Sequence, residues 1–174
     1  IRAILITTCT LVSFFHGNND GQKGIGLMLI ILITFMPIQF ALNSEFDYSK
    51  SLESLNKIEM VLEKENKADL LVNVNETKAN LEKFQLTKND SIVPNQDKKK
   101  IIVDLRTSIS KLNKKLTSEL KNPTSMDSKT NFEIISSELS NLKNDVEYSP
   151  KWVTIMIALC LGLGTMIGWK RIAI

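Results

Sequence analysis

Histidine occurs once in these 174 residues, cysteine twice, and glycine nowhere between positions 27 and 161. The lone histidine, His16, cannot build a histidine-rich metal centre. The cysteines, Cys9 and Cys160, lie in separate apolar stretches, which suits small packing residues better than a disulfide or a metal site. Residues 43–151 contain no histidine, cysteine or glycine, so no catalytic or metal constellation is visible there. Charge is absent from residues 27–42, and an overall surplus of it is small: the formal net charge is +3. Residues 43–151 hold 18 basic and 18 acidic side chains, so the surplus arises at the ends, where Arg2, Lys23, Lys170 and Arg171 face only Asp20. A pI of 8.8 reached in this way implies no nucleic-acid partner.

What is present falls into three parts, 1–42, 43–150 and 151–174. The first is two apolar runs, "AILITTCTLV" and "LMLIILITFMPIQFAL", separated by the polar stretch "SFFHGNNDGQKGIG". As a helix, residues 23–42 would rise about 30 Å, the thickness of a bilayer's hydrocarbon core. Residues 152–169, "WVTIMIALCLGLGTMIGW", form a second candidate span, uncharged and with a tryptophan at each end. Its Gly164 and Gly168 have the small-xxx-small spacing that lets a neighbouring helix approach. Residues 3–15 are too short to cross alone and read as the first half of a helix interrupted at the polar stretch, with Gly17, Gly21, Gly24 and Gly26 allowing the break. Such a break is tolerated in a membrane only where it is buried in protein or lines a cavity. Arg2 before the first segment and Lys170 with Arg171 after the last put both outer ends in the cytoplasm and the middle outside. No small-x-small cleavage site follows the first apolar run, which argues against a signal peptide, and a start at Ile1 without a methionine predicts an internal piece of a longer protein.

In the middle part apolar residues recur at helical spacing: Leu52, Leu55, Ile58 and Leu62; Leu105, Ile109, Leu112, Leu116 and Leu120; Phe132, Ile135, Leu139, Leu142 and Val146. A weaker stripe, Leu70, Val74, Leu81 and Phe84, marks a fourth helix. Breaks are expected at "NDSIVPNQD" and "KNPTS", with Pro94 and Pro123 ending helices and asparagine or aspartate capping the next. The predicted fold is therefore an all-α membrane protein fragment: a discontinuous transmembrane helix and a second transmembrane helix flank an extramembrane insert folded as a four-helix bundle.

The polar stretch fails the soluble-protein motifs. Gln22 precedes Lys23 and Gly24 follows it, which excludes a Walker phosphate loop; a dinucleotide fingerprint starting at Gly24 fails because position 29 is leucine. Beside His16, Ser13 or a remote serine would supply a nucleophile only by coincidence, so no enzyme is expected. An ionised residue at the centre of a spanning helix costs about 2.5 to 3.5 kcal/mol, and this stretch carries Asp20 and Lys23. They could neutralise each other at i, i+3 or lie in a surface turn. Alternatively, the broken helix and the side chains of His16, Asn18, Asn19, Asp20, Gln22 and Lys23 form a substrate and ion site. Carboxylate and amide oxygens, from Asn19 and Asp20 above all, suit a hard cation, while backbone N–H groups at a helix start suit phosphate.

"SFFHGNNDGQKGIGLMLIILI" closely resembles the signature in the second half of bacterial low-affinity inorganic phosphate transporters of the Pit family, and "SPKWVTIMIALCLGLGTMIGWKRI" resembles the helix after that family's long insert. The resemblance implies an inverted-repeat, multi-pass secondary transporter of the inner (plasma) membrane, with the insert periplasmic or extracellular. It implies symport of phosphate with protons or sodium, and in the enterobacterial-like branch protons, with phosphate carried as its complex with a divalent metal. Asn19 and Asp20 occupy the family's Asn-Asp pair, which helps form the cation and phosphate site. The sodium-coupled pattern continues Asn-Asp-x-x-Asn, whereas Lys23 stands in the last position here, which favours protons as the coupling ion. The implied partners are phosphate, membrane lipid and the rest of the transporter chain, with no cofactor. A rival reading is a two-span membrane anchor that displays a helical extracellular binding or sensing domain.

Overall fold

The computed structural model describes residues 1–89, 93–121 and 129–172, and α-helix is their only regular structure. The chain divides into two compact units, one of residues 1–35 with 149–174 and one of residues 36–148. Residues 36–42 fall within the second unit.

In the first unit, α1 (Arg2–Phe35) packs against α7 (Lys151–Ile172). The expected interruption at residues 16–26 does not occur: α1 is continuous for 34 residues, and none of its glycines has positive φ. An interior glycine costs a helix about 1 kcal/mol relative to alanine, so it permits a break without imposing one. What ends α1 is Pro37. Its ring lacks an N–H and drives the preceding residue out of the helical region, and Met36 accordingly sits at φ −131°, ψ 59°. The uninterrupted span expected over 23–42 is therefore cut here, and the short α2 (Pro37–Phe40) follows. Among the described residues no single helix is long and apolar enough to cross a membrane. Polar residues divide the apolar runs of α1, and in α7 the described side chains stop at Ile167. Both helices nonetheless leave large apolar side chains uncovered, among them Ile4, Phe14, Leu27, Ile30, Leu159 and Ile167. Thr7, Thr8, Thr10 and Thr34 donate their hydroxyls to the carbonyl one turn back, at 2.7 to 2.9 Å, so they leave no donor unsatisfied.

The second unit contains α3 (Tyr48–Lys64), α4 (Ala68–Asn89), α5 (Asn95–Leu120) and α6 (Lys129–Val146). Each helix packs on the next, and α6 closes the ring on α3. Neighbours run antiparallel. Between α3 and α6, Ser51 donates to Asp145, Ser54 to Glu138 and Asn131 to Glu65; between α4 and α5, Lys67 meets Glu119 and Lys115 meets Asn73. The core repeats at alternating steps of three and four residues, as in Leu105, Ile109, Leu112, Leu116 and in Ile135, Leu139, Leu142, Val146, all buried. That is the seam by which helices pack in bundles. Leu52, Phe84 and Leu120 are only partly buried at its edge, and Phe132, expected inside, is 39% exposed. The Asp47 carboxylate caps α3 by accepting the Ser49 N–H at 2.9 Å. For α5 the expected asparagine or aspartate cap is replaced by Pro94 itself, whose carbonyl accepts the N–H groups of Asp97 and Lys98. Pro123 lies outside the described residues.

One end of this bundle is tied shut. The half-buried Arg106 guanidinium donates to the carbonyls of Ala41, at 2.6 Å, and Val146, while the Asn43 N–H donates to the Asp145 carbonyl at 2.9 Å. Arginine thus satisfies terminal carbonyls of α2 and α6 where the chain enters and leaves the unit. On the α3–α6 face, burial works against ionisation of Glu138, but donation from Ser54, Lys57 and Asn141 outweighs it and holds that carboxyl below the ordinary range. A depressed folded-state pKa contributes stability that is complete above the unfolded value and lost as pH falls through the folded one. Glu138→Gln is accordingly expected to lessen the loss of protection that hydrogen exchange records in α3 and α6 of the intact protein on acidification below the ordinary carboxylate range. An unchanged acid profile would show that Glu138 is not the coupling group.

Candidate ion and anion site on helix α1

At 3.6 residues per turn, positions 16, 20 and 23 fall on one face of α1. The Asp20 carboxylate is bracketed there by two nitrogens: Lys23 Nζ lies 3.4 Å from Oδ1 and His16 Nε2 lies 3.4 Å from Oδ2. Asp20 is 40% exposed and its two partners 79%. In water such pairs contribute less than about 1 kcal/mol, but the same separations interact far more strongly in a low-dielectric surrounding. The ion pair anticipated at i, i+3 is therefore present, and His16 approaches the other carboxylate oxygen at the same distance.

The other candidates are not brought into this cluster. Asn18 and Gln22 lie on the opposite side of α1, where with Gly17, Gly21 and Ile25 they line a groove of about 440 Å³ against α7, whose Thr154, Ile157, Ala158, Leu161, Gly162 and Thr165 form the other wall. Asn19 is exposed and lines neither feature. Because α1 is continuous, the backbone amides and carbonyls of the polar stretch are engaged in helical bonds. Side chains alone remain to hold an ion or an anion, which corrects the expectation of ligands from helix ends.

The glycines have a different part from the one expected. Gly24 faces Ile157, and a Cβ on it would stand 2.9 Å from Ile157 Cγ2. Absence of a side chain is what lets α7 approach there. Gly17 and Gly21 meet nothing within 4 Å, and their bareness opens the groove. The signal was available, since positions 17, 21 and 24 share a helical face, but glycine clusters read equally well as breaks. Thr154, Ile157 and Leu161 could not be assigned in advance, because α7 is apolar all round and no periodicity marks the side that meets α1.

Among the described residues no group of three or more histidine, cysteine, aspartate or glutamate side chains could hold a metal ion. What the arrangement offers is a carboxylate able to carry a proton or a cation between two nitrogens able to meet an anion. Apolar helices bearing such a cluster, joined to a charged helical bundle, define an all-helical protein of the kind from which membrane transporters are built. The chain belongs to the phosphate transporter family (PHO4), which matches residues 1–174. It is 31% identical over 191 residues to the low-affinity inorganic phosphate transporter of Buchnera aphidicola subsp. Acyrthosiphon pisum, covering 100% of this chain and 39% of that protein. With the Escherichia coli K12 low-affinity inorganic phosphate transporters PitA and PitB it shares 31% over 197 residues and 28% over 208 residues, each comparison covering 99% of this chain and 39% of the relative. This chain thus spans about two fifths of the relatives' length. No solved structure matches it.

Proposed function

We propose that this chain is part of a secondary transporter that imports inorganic phosphate, free or as a divalent-metal complex, across the inner membrane by symport with protons. Family membership supports the substrate. The observation that carries the coupling is the Asp20 carboxylate held between Lys23 and His16. Protonation of Asp20 discharges its ion pair with Lys23 and leaves the Lys23 and His16 nitrogens to meet an arriving phosphate; release of the proton restores the pair and expels the anion. Asn18, Asn19 and Gln22 supply amide contacts from neighbouring faces. No bond of the substrate is made or broken in this cycle, and the protein needs no cofactor. The apolar helices α1 and α7 lie in the membrane beside helices from the rest of the parent protein, and the bundle of residues 36–148 is held outside, on the periplasmic or extracellular side.

The test is uptake of radiolabelled phosphate by cells lacking their own phosphate transporters and expressing the full-length parent, across pH and with or without sodium. Uptake that rises on acidification and ignores sodium is expected. A well-expressed parent that moves no phosphate would overturn the proposal and leave a membrane anchor displaying a helical domain. A fixed ammonium at position 23 repels sodium, so Lys23→Asn is expected to introduce a sodium dependence that the wild type lacks. Identical sodium responses in the two proteins would refute that role for Lys23.

A further inference from the structure

The insert carries a second feature, remote in sequence from the ionic cluster. Ile38 from α2, Phe84, Thr87 and Lys88 from the end of α4, and Lys98, Ile101 and Ile102 from the start of α5 line a groove of about 310 Å³. Its lining is largely apolar. Two lysines belong to it and no acidic residue does, and neither ammonium has an ion-pair partner among the described residues. Lys99 and Lys100 follow Lys98 on α5, with Asp97 just before it, and Ile38 leaves apolar surface uncovered at 47% exposure.

The place of this groove in the bundle identifies what it would hold. It lies at the end where the chain enters through α2 and leaves after Val146, the end fastened by Arg106 to the Ala41 and Val146 carbonyls. Ile38 follows directly on the proline that terminates the apolar helix α1. An apolar slot rimmed by lysines without an ion-pair partner among the described residues, on the part of an extramembrane domain joined to apolar helices, matches an amphiphile with an anionic head.

We infer that this groove is a binding site for an anionic phospholipid, with acyl-chain carbons against Ile38, Phe84, Ile101 and Ile102 and the headgroup phosphate between Lys88 and Lys98. The inference rests on the membrane placement proposed above. Bound lipid would hold the tethered end of the bundle at the bilayer surface. Net charge selects the lipid: the phosphate of phosphatidylglycerol has no internal counter-charge, whereas in a zwitterionic head the choline cation offsets it, so each lysine contributes about a fivefold preference for the anionic lipid.

The test uses the full-length parent reconstituted into nanodiscs of phosphatidylcholine alone or of phosphatidylcholine with phosphatidylglycerol, read by hydrogen exchange over residues 81–106. Slower exchange in the anionic discs at the end of α4 and the start of α5 is expected, with the difference lost in Lys88→Gln/Lys98→Gln and unaffected by inorganic phosphate added to the neutral discs. Equal exchange in both lipids, a lipid effect that survives the double substitution, or protection produced by inorganic phosphate alone would overturn the inference. A parent that incorporates into discs yet shows no lipid dependence rejects the groove while sparing the membrane reading. A parent that fails to incorporate at all rejects both.

Discussion

Asp20→Asn is expected to abolish the net import of phosphate while leaving phosphate binding in place. The substitution keeps the shape of the side chain and removes the one negative charge of the cluster, so Lys23 and His16, each 3.4 Å from a carboxylate oxygen, are left without their counter-charge together. Pairs this exposed contribute less than about 1 kcal/mol in water, and the same separations interact more strongly in a low-dielectric surrounding, so the effect is expected in the membrane-embedded parent. The direction differs between the two measurements. Without Asp20 the two nitrogens no longer have an internal anion to return to, so bound phosphate is retained and net uptake falls to background. Asp20 is 40% exposed and its partners 79%, so the protein is expected to accumulate normally. Uptake by cells, set beside equilibrium binding to purified full-length protein, separates the effects. Uptake within about twofold of wild type at every pH would remove Asp20 from the cycle.

Gly24→Ala is expected to destabilise the packing of α1 on α7, whereas Gly17→Ala and Gly21→Ala are not. The new Cβ at position 24 would lie 2.9 Å from Ile157 Cγ2, a methyl on a stiff β-branched side chain that cannot swing away. Overpacking of this kind costs about 1 to 3 kcal/mol. At positions 17 and 21 a Cβ meets nothing within 4 Å, and alanine there gains helix propensity. The choice of partner substitution makes the test sharp. Ile157→Leu removes the Cγ2 branch and should restore the stability of the Gly24→Ala protein; Ile157→Val keeps that methyl and should not. Thermal denaturation of the purified full-length parent in detergent reads all of these. If alanine at the three glycines has the same effect, contact with Ile157 is not what position 24 provides.

Two very different amounts of this protein were open to reading from its residues. The helices of the insert were nearly all visible, because an amphipathic helix advertises its buried side by repetition: Leu55, Ile58 and Leu62, and Leu105 through Leu116, are core residues at the spacing the chain displays. Phe132 shows the limit, since it continues the α6 stripe yet remains 39% exposed at the helix start. The polar stretch was legible as a chemically distinct group of residues between apolar runs. Its geometry was not. Glycine-rich sequence inside an apolar run is compatible with a break or with close packing, and only the neighbour decides; here Ile157 lies over Gly24, and α1 passes through unbroken.

From the sequence alone came the helical class, the division into apolar ends and a charged middle, the four stripes of the bundle, and the family resemblance carried by residues 13–33 and 149–172. These depend on local order along the chain: residue type, spacing and charge. Tertiary structure alone decided that His16 joins Lys23 at Asp20 while Asn18 and Gln22 face the other way, that Met36 and Pro37 rather than the glycines end α1, and that α2, α4 and α5 meet around an apolar groove edged by Lys88 and Lys98. The physical reason is the same in each case. Which face of a helix is used, and which residues distant in sequence become neighbours, is set by the packing of whole side chains against partners that no local pattern names.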